Sequence, residues 1–263
     1  MKPLALLTND DGYASPGLRA LWRALDADFE TMVVAPARGK SWIGKALSNP
    51  GALTLETKRI DEQEVWLVHD GTPADCVNLG MYHICARKPD VVVSGINIGA
   101  NFTASLALAS GTVGAALEAA VNDVLGIAVS LDLDDATHHA LQGEWNESHV
   151  EIFMPAARAA KLFLREWFAR PPQPRIKLIN LIMPQPRNFI EPPRFVECAP
   201  LPYAYGSVFE KRDNVFYNRT VGFIAAQADV RAGSDVWNVR QGSIAFTCYS
   251  GKLEQIASAP QEK

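Results

Sequence analysis

The feature that most constrains the fold of this chain is a pair of continuous apolar runs, each followed at once by a polar or glycine-rich turn. One run is Leu4 to Leu7, which ends at the turn 8–12 (TNDDG), and the other is the segment 90–94 (DVVVS), which ends at 95–101 (GINIGAN). A strand with one face in water alternates apolar and polar residues, whereas these runs have no polar face. They therefore predict buried strands of a parallel sheet that is covered on both sides.

Segments with helical spacing alternate with the apolar runs. The first begins at Ser15, a candidate N-cap, with Pro16 as the first helical residue and an apolar face at helical spacing behind it. Further strands are predicted at 31–35, 53–57, 65–68, 127–131 and 176–182, and further helices from Thr72, at 113–121 and at 150–168. This alternation predicts an α/β fold with helices on both faces of a parallel sheet.

The alternation ends at residue 182. Proline-rich links and short strand-like pieces, such as 215–217 and 243–248, follow it. We therefore expect a three-layer Rossmann-like core with a mostly parallel sheet in residues 1–182, and a β-rich C-terminal elaboration of the same domain in 183–263, used in oligomerisation. The total of 263 residues suits one large α/β domain. The acidic and polar segment 132–147 predicts a surface loop.

The charge balance is weakly acidic, because 25 Lys and Arg side chains stand against 29 Asp and Glu. A surface that coats nucleic acid is basic, so we expect no nucleic-acid duplex as a partner. A phosphate substrate is compatible with this balance, since a bound cation supplies positive charge locally. The apolar run at the N-terminus is too short for a signal peptide, and no stretch of about 20 apolar residues predicts a membrane span. We expect a cytoplasmic protein with no membrane partner.

The polar turns that follow the first, second and DVVVS strands emerge at one edge of the predicted sheet, where ligands of α/β proteins bind. At this edge Asp10 and Asp11 are adjacent carboxylates after a buried strand. Two crowded carboxylates repel each other, and a hard divalent cation with oxygen ligands relieves that repulsion. The alternative is an ordinary polar turn, since Asn-Asp-Asp-Gly is a common turn sequence.

Three other turns supply candidate ligands. Asn97 offers a carbonyl oxygen to a metal and Asn101 offers an amide donor to a phosphate, although both side chains also suit a tight turn. Backbone amides at the segment Ser110-Gly111-Thr112 precede a helix and suit an anion, or simply cap that helix. Ser41 also lies within reach of a metal, and Lys40 or Lys45 within reach of a phosphate, unless this is only an exposed basic loop.

Taken together, these motifs resemble those of the SurE family (survival protein E, 5'-nucleotidases). The resemblance covers the first 130 residues well and the remainder loosely, and several separate motifs occur in the family's order. The matching segments are 9–12 (NDDG), 33–36 (VVAP) with Ser41, 71–77 (GTPADCV), 92–97 (VVSGIN), 99–101 (GAN) and 110–113 (SGTV).

The resemblance implies one divalent ion per subunit, magnesium or manganese, and a phosphatase that acts on nucleoside 5'-monophosphates. It also implies activity on 3'-monophosphates and, in some members, on short polyphosphate, in a homodimer or homotetramer. The implied metal ligands are Asp10, Asp11, Ser41 and Asn97, with Asp10 or Asp11 as the catalytic residue that orients or deprotonates a water. The implied phosphate pocket is Asn101, Ser110, Gly111 and Thr112, to which we add Asn9.

The sequence departs from the family pattern near the predicted site. Trp42 and Ile43 follow Ser41 where the family has a glycine, and the segment 102–109 (FTASLALA) lacks the usual acidic residue and tyrosine. One rival hypothesis is therefore a nucleotide-binding module with weak or no turnover. Another is a phosphatase of the haloacid dehalogenase type, whose motif Asp-x-Asp differs from the adjacent aspartates here.

Overall fold

The computed structural model describes residues 2–49, 51–141, 145–204, 206–218 and 230–251. Its strands are β1 (Leu4–Thr8), β2 (Glu30–Pro36), β3 (Thr54–Ile60), β4 (Gln63–His69), β5 (Val91–Ile98), β6 (Leu125–Leu131), β7 (Leu178–Met183), β8 (Phe195–Glu197), β9 (Phe209–Arg212), β10 (Val215–Asn218) and β11 (Ile244–Tyr249). Its α-helices are α1 (Pro16–Leu25), α2 (Pro73–Leu79), α3 (Thr103–Ala109), α4 (Gly111–Val121), α5 (Asp135–Ala140), α6 (Glu147–Ala169) and α7 (Asp235–Arg240).

A nine-stranded sheet in the order β3-β4-β2-β1-β5-β6-β7-β11-β8 forms the centre of the molecule. The six strands from β4 to β7 in this order are parallel to one another. Antiparallel pairing occurs toward the two edges, where β3 pairs with β4 and β11 pairs with β7. The predicted fold class, an α/β core with a mostly parallel sheet and a β-rich C-terminal part, is confirmed.

Two helical layers cover the sheet, and the alternation of side chains along β1 shows how. Ala5 and Leu7 are fully buried against α1 and α6, whereas Leu6 is fully buried against α2 and α4 on the other face. Because successive side chains of a strand point to opposite faces, a run with no polar residue needs an apolar layer on each side. The uninterrupted apolar run is explained by this three-layer arrangement.

Several helices differ from the sequence-based prediction. The predicted surface loop at 132–147 is wrong in part, because a short helix, α5, begins where Asp134 accepts a hydrogen bond from the backbone N–H of Thr137 at 2.8 Å. Helices α3 and α7 were not predicted at all, and residues 142–144 lie outside the described part of the chain. Within the described residues no single helix is long and apolar enough to cross a membrane, although α3 and α4, which meet at a bend of 78°, pass that test as a pair.

Strands from the segment beyond residue 182 extend the same sheet rather than forming another layer. β11 lies between β7 and β8, antiparallel to the first and parallel to the second. A separate hairpin, β9–β10, pairs only with itself among the described residues. The predicted role of this segment in oligomerisation stays a prediction, and parts of it, 219–229 and 252–263, lie outside the described residues.

Candidate metal and phosphate site

The carboxyl ends of β1, β5, β6 and β7 open on a cavity of about 700 Å³. This volume lies in the range of about 300–1,000 Å³ that is typical of small-molecule sites. The predicted site residues that line the cavity are Asp10, Asp11, Ser41, Asn97, Asn101 and Ser110. Asn9, Gly111 and Thr112 are not among the lining residues. The sheet edge therefore brings together side chains from four separate segments of the chain.

Asp10 is held at the N-terminus of α4. The hydroxyl of Thr112 donates a hydrogen bond to Asp10 Oδ1 at 2.5 Å. Burial raises the pKa of Asp10, while the Thr112 hydroxyl and the backbone N–H groups of Thr112 and Gly111 oppose that rise. A Cβ atom on Gly111 would lie only 2.8 Å from that of Asp10, so a glycine is needed for this close approach.

These contacts bear on three residues that were predicted to bind phosphate. The amides of Gly111 and Thr112 and the Thr112 hydroxyl contact the Asp10 carboxylate, and the phosphate role of these two residues stays a prediction. Asn9 was also predicted to bind phosphate, yet its amide donates to Gly12 O at 2.9 Å and its Oδ1 accepts from Gly12 N at 3.2 Å. Asn9 therefore closes the turn that presents Asp10 and Asp11, and the fully buried side chain does not reach the cavity.

The pKa of the Asp11 carboxylate is raised as well. Burial raises its pKa well above the ordinary value, and the neighbouring charge of Asp10 raises it further. A single backbone donor, Ile98 N at 3.2 Å from Asp11 Oδ2, opposes this rise. Among the described residues no Lys, Arg or His side chain pairs with either carboxylate. A buried and a half-buried carboxylate that are adjacent and have no cation beside them are an arrangement that a divalent ion stabilises.

The donor set at this edge fits a hard divalent ion. Asp10, Asp11, the Ser41 hydroxyl and the Asn97 side-chain oxygen all offer oxygen atoms to the cavity. The amide nitrogen of Asn97 donates to Gly99 O at 2.7 Å, which leaves the side-chain oxygen as its acceptor. The described residues contain no group of three or more His, Cys, Asp and Glu side chains suited to a metal, so hydroxyl and amide oxygens would complete the coordination.

Asn101 provides a buried donor beside these oxygens. Its backbone is fixed on both sides, because its N–H donates to Ser130 Oγ at 3.0 Å and its carbonyl accepts from Asn180 Nδ2 at 2.9 Å. Its own side-chain nitrogen, Nδ2, is buried and has no hydrogen-bond partner in the protein. Since an unsatisfied buried donor costs about 1–3 kcal/mol, this atom is explained best by a ligand that accepts from it.

The loop that carries Ser41 is anchored rather than free. Lys40 N donates to Asp10 O at 2.6 Å, and Gly44 N donates to Ala109 O at 3.0 Å. Lys45, a candidate phosphate ligand in the sequence, instead forms an ion pair with the buried Glu118 at 2.5 Å.

Asp75, in the first turn of α2, also anchors this loop. Its carboxylate accepts from the Ser48 hydroxyl at 2.6 Å and from Thr72 N at 2.8 Å. Thr72 Oγ1 in turn accepts from Asp75 N, so that the two residues form a capping box at the start of α2. The contacts of Asp75 are those of a helix cap and a loop anchor.

The far wall of the cavity contains residues that sequence reasoning missed. Asp132, Gln185 and Arg240 line it, together with His138 and Asn188. Burial raises the pKa of Asp132, and a hydrogen bond from Gln185 and the charge of Arg240 oppose that rise. Asp132 directly follows β6 and Gln185 follows β7. Their positions after strands of the same sheet could have indicated from sequence that they belong to the site.

Comparison with known proteins finds one matching family model and several relatives of similar sequence. A family model described as survival protein SurE matches residues 5–199. The 5'-nucleotidase SurE of Methanopyrus kandleri is 36% identical over 92% of this chain and 89% of its own length. That of Geotalea daltonii is 35% identical over 92% of this chain and 90% of its own length. The 5'-nucleotidase SurE of Archaeoglobus fulgidus is 45% identical, but the match spans about half of either chain (52%).

A solved structure has the same architecture. The crystal structure of SurE protein from Aquifex aeolicus superposes with a TM-score of 0.73 and covers 96% of this chain and 95% of that one, at 27% sequence identity. The similarity therefore extends beyond the N-terminal motifs to most of the folded chain.

Proposed function

Since this chain belongs to the survival protein SurE family, we propose that it is a 5'-nucleotidase that releases phosphate from nucleoside 5'-monophosphates with a divalent metal ion. The observation that carries the metal dependence is the pair of adjacent carboxylates, the buried Asp10 and the half-buried Asp11, facing a cavity with Ser41 and Asn97. The names of the curated relatives support the nucleotidase activity. The homo-oligomeric state and the cytoplasmic location stay predictions.

The residues at the carboxyl ends of the strands have separate roles in the proposed reaction. Asp10, Asp11, Ser41 and Asn97 would hold Mg²⁺ or Mn²⁺, and the chemistry that such an ion supplies is polarisation of a phosphoryl oxygen and a lower pKa of a nearby water. Asp10 or Asp11 orients the attacking water and accepts its proton. The water oxygen forms a bond to phosphorus, the bond to the 5'-oxygen of the nucleoside breaks, and the proton passes to that oxygen.

Asn101 stabilises the phosphate during this displacement. Its unpartnered Nδ2 donates to a non-bridging phosphoryl oxygen, where negative charge is concentrated in the transition state. The Ser110 hydroxyl, which accepts from Val113 N at 3.2 Å, keeps its own hydrogen for a second such bond. The transfer is direct to water and involves no phosphorylated aspartate.

The proposal is tested by phosphate release from nucleoside 5'- and 3'-monophosphates and tripolyphosphate, with magnesium, manganese or EDTA. We expect release from at least one 5'-monophosphate with metal and none above background with EDTA. Mn²⁺ or Mg²⁺ should also raise the melting temperature of the metal-free protein, because the ion binds only the folded state. Release that is unaffected by EDTA, or a phosphorylated aspartate trapped by acid quench, would contradict the proposed mechanism.

Replacing Asn101 with alanine is expected to lower kcat by about 100-fold, the effect typical of removing one donor to a developing negative charge. The backbone bonds of Asn101 to Ser130 and Asn180 do not need the side chain, so the fold should be kept. Asn122→Ala is the matched control, since it removes an amide at the opposite end of α4. Equal rates for Asn101→Ala and the wild type would exclude Asn101 from the phosphate site.

A further inference from the structure

Trp42 places a large aromatic ring on the wall of the cavity. It lies next to Ser41 in the chain and lines the same cavity as Asp10 and Asn101, yet it is 44% exposed. Tryptophan is a side chain that folding normally buries, because its apolar surface is large. An exposed indole on the wall of a ligand-sized cavity offers apolar surface to whatever fills that cavity.

The backbone that carries this ring is anchored on both sides. The hydrogen bonds Lys40 N to Asp10 O and Gly44 N to Ala109 O secure the chain two residues before and two residues after Trp42. Trp42 itself has a φ of +61°, in the left-handed region that favours glycine and disfavours bulky side chains. Such strain in a well-anchored loop is characteristic of functional sites, and here it accompanies an aromatic ring on the cavity wall.

The cavity is lined by both polar and apolar side chains, and a nucleotide likewise combines a charged phosphate with an apolar base. The part around Asp10, Asp11 and Asn101 is polar and suits a metal-bound phosphate, whereas Trp42 is one of several large apolar side chains that also line the cavity. The others are Ile98, Phe102, Leu106, Leu133 and Val236. A nucleobase is flat and apolar on both faces, and it stacks on aromatic side chains whatever its pattern of hydrogen-bond donors.

We propose that Trp42 is a specificity-determining residue on which the nucleobase of the substrate stacks, so that it favours nucleotides over phosphate esters without an aromatic group. This inference rests on the proposed nucleotidase activity and extends it to the part of the substrate that does not react. Base stacking on an aromatic side chain contributes affinity with little preference among bases. The ring is therefore expected to select nucleotides as a class.

The test compares AMP with ribose 5-phosphate, which lacks the base, in the wild type, Trp42→Gly and Trp42→Phe. We expect the ratio of kcat/KM for AMP to that for ribose 5-phosphate to fall about 10-fold or more in Trp42→Gly, mainly through a higher KM for AMP. Trp42→Phe, which keeps an aromatic ring, should retain most of the ratio. Glycine suits a φ of +61°, so Trp42→Gly should melt at or above the wild-type temperature.

Adenosine provides a second readout that needs no turnover. It should bind the wild type in isothermal titration calorimetry, and its Kd for Trp42→Gly should be at least 10-fold higher. An unchanged substrate ratio, or equal losses for AMP and ribose 5-phosphate, would overturn the proposal. If the wild type releases phosphate from neither substrate, the nucleotidase proposal fails, and equal adenosine affinities of the wild type and Trp42→Gly would then overturn the stacking proposal separately.

Discussion

Replacing Asp10 with asparagine is expected to lower kcat for phosphate release by at least about 1,000-fold while leaving the protein folded. The substitution keeps the shape of the side chain and an oxygen that accepts from Thr112, but it removes the negative charge that the proposed metal ion needs. Losses of this size are typical when a group that takes part directly in bond breaking is removed. The measurement is phosphate release from AMP at saturating Mg²⁺ or Mn²⁺.

The same substitution, which lowers activity, should not lower the stability of the metal-free protein. Because burial raises the pKa of Asp10, the folded state binds more protons than the unfolded state above pH of about 4, and the charged form destabilises the metal-free fold as pH rises. Metal-free Asp10→Asn should therefore melt at or above the wild-type temperature, with a difference that increases from about pH 4 toward neutrality. Added metal should raise the melting temperature of the wild type much more than that of the variant.

Asp90→Asn is the matched control for this prediction. Asp90 lies just before β5, at the opposite end of the strand from the cavity, and accepts from Leu4 N at 2.7 Å. The control should keep its activity and its response to metal, with at most a modest loss of stability. If Asp10→Asn keeps wild-type activity, or if Asp90→Asn loses it equally, Asp10 is not part of the reaction centre.

Replacing Gly114 with alanine is expected to destabilise the fold by about 1–3 kcal/mol and to lower kcat by about 100-fold. A Cβ atom on Gly114 would lie 2.2 Å from Gly44 O and 2.8 Å from Lys45 N. Both contacts are with backbone, so the loop that carries Ser41 must move away from α4. Since misplacing a catalytic group by about 1 Å costs about 100-fold in rate, activity should fall even where the protein remains folded.

Chemical denaturation and steady-state kinetics of the same preparation separate the two effects. Gly206→Ala is the control, because a Cβ atom there meets nothing within 4 Å and only the positive φ of 63° is unfavourable. It should lose about 1 kcal/mol and no activity. A Gly114→Ala protein with wild-type kcat would show that the position of the Ser41 loop does not matter for the reaction.

The central strands could be predicted from sequence because their information is local. Continuous apolar runs can be buried only between two layers, and the turn Asn9-Asp10-Asp11-Gly12 directly follows one of them. The rule that ligands bind at the carboxyl ends of parallel strands then brings Asp11 and Asn97 together without any knowledge of the structure. Cavity residues that directly follow such strands are therefore the part of a site of this kind that is easiest to predict from sequence.

The contacts that hold those residues could not be predicted, because they join distant parts of the chain. Thr112 donates to Asp10 across 102 residues. Helix α3 is fixed where the buried Asp235 accepts from Thr103 N at 2.7 Å and from Leu201 N at 2.8 Å, and no local pattern in its sequence signals this. Asp132 was assigned to a polar loop for the same reason, since the groups that interact with it, Gln185 and Arg240, come from later segments.

The position of β11 has a consequence for how the chain is made. β7 is buried, but its outer edge is covered by β11, a strand synthesised more than 60 residues later, and among the described residues β8 joins the sheet through β11 alone. A nascent chain that has emerged from the ribosome only as far as β8 therefore exposes an apolar, unpaired strand edge, which is a template for aggregation. Completion of the sheet waits for the translation of β11, so release of chains that end before it, or an early stop codon, should yield insoluble rather than partly active protein.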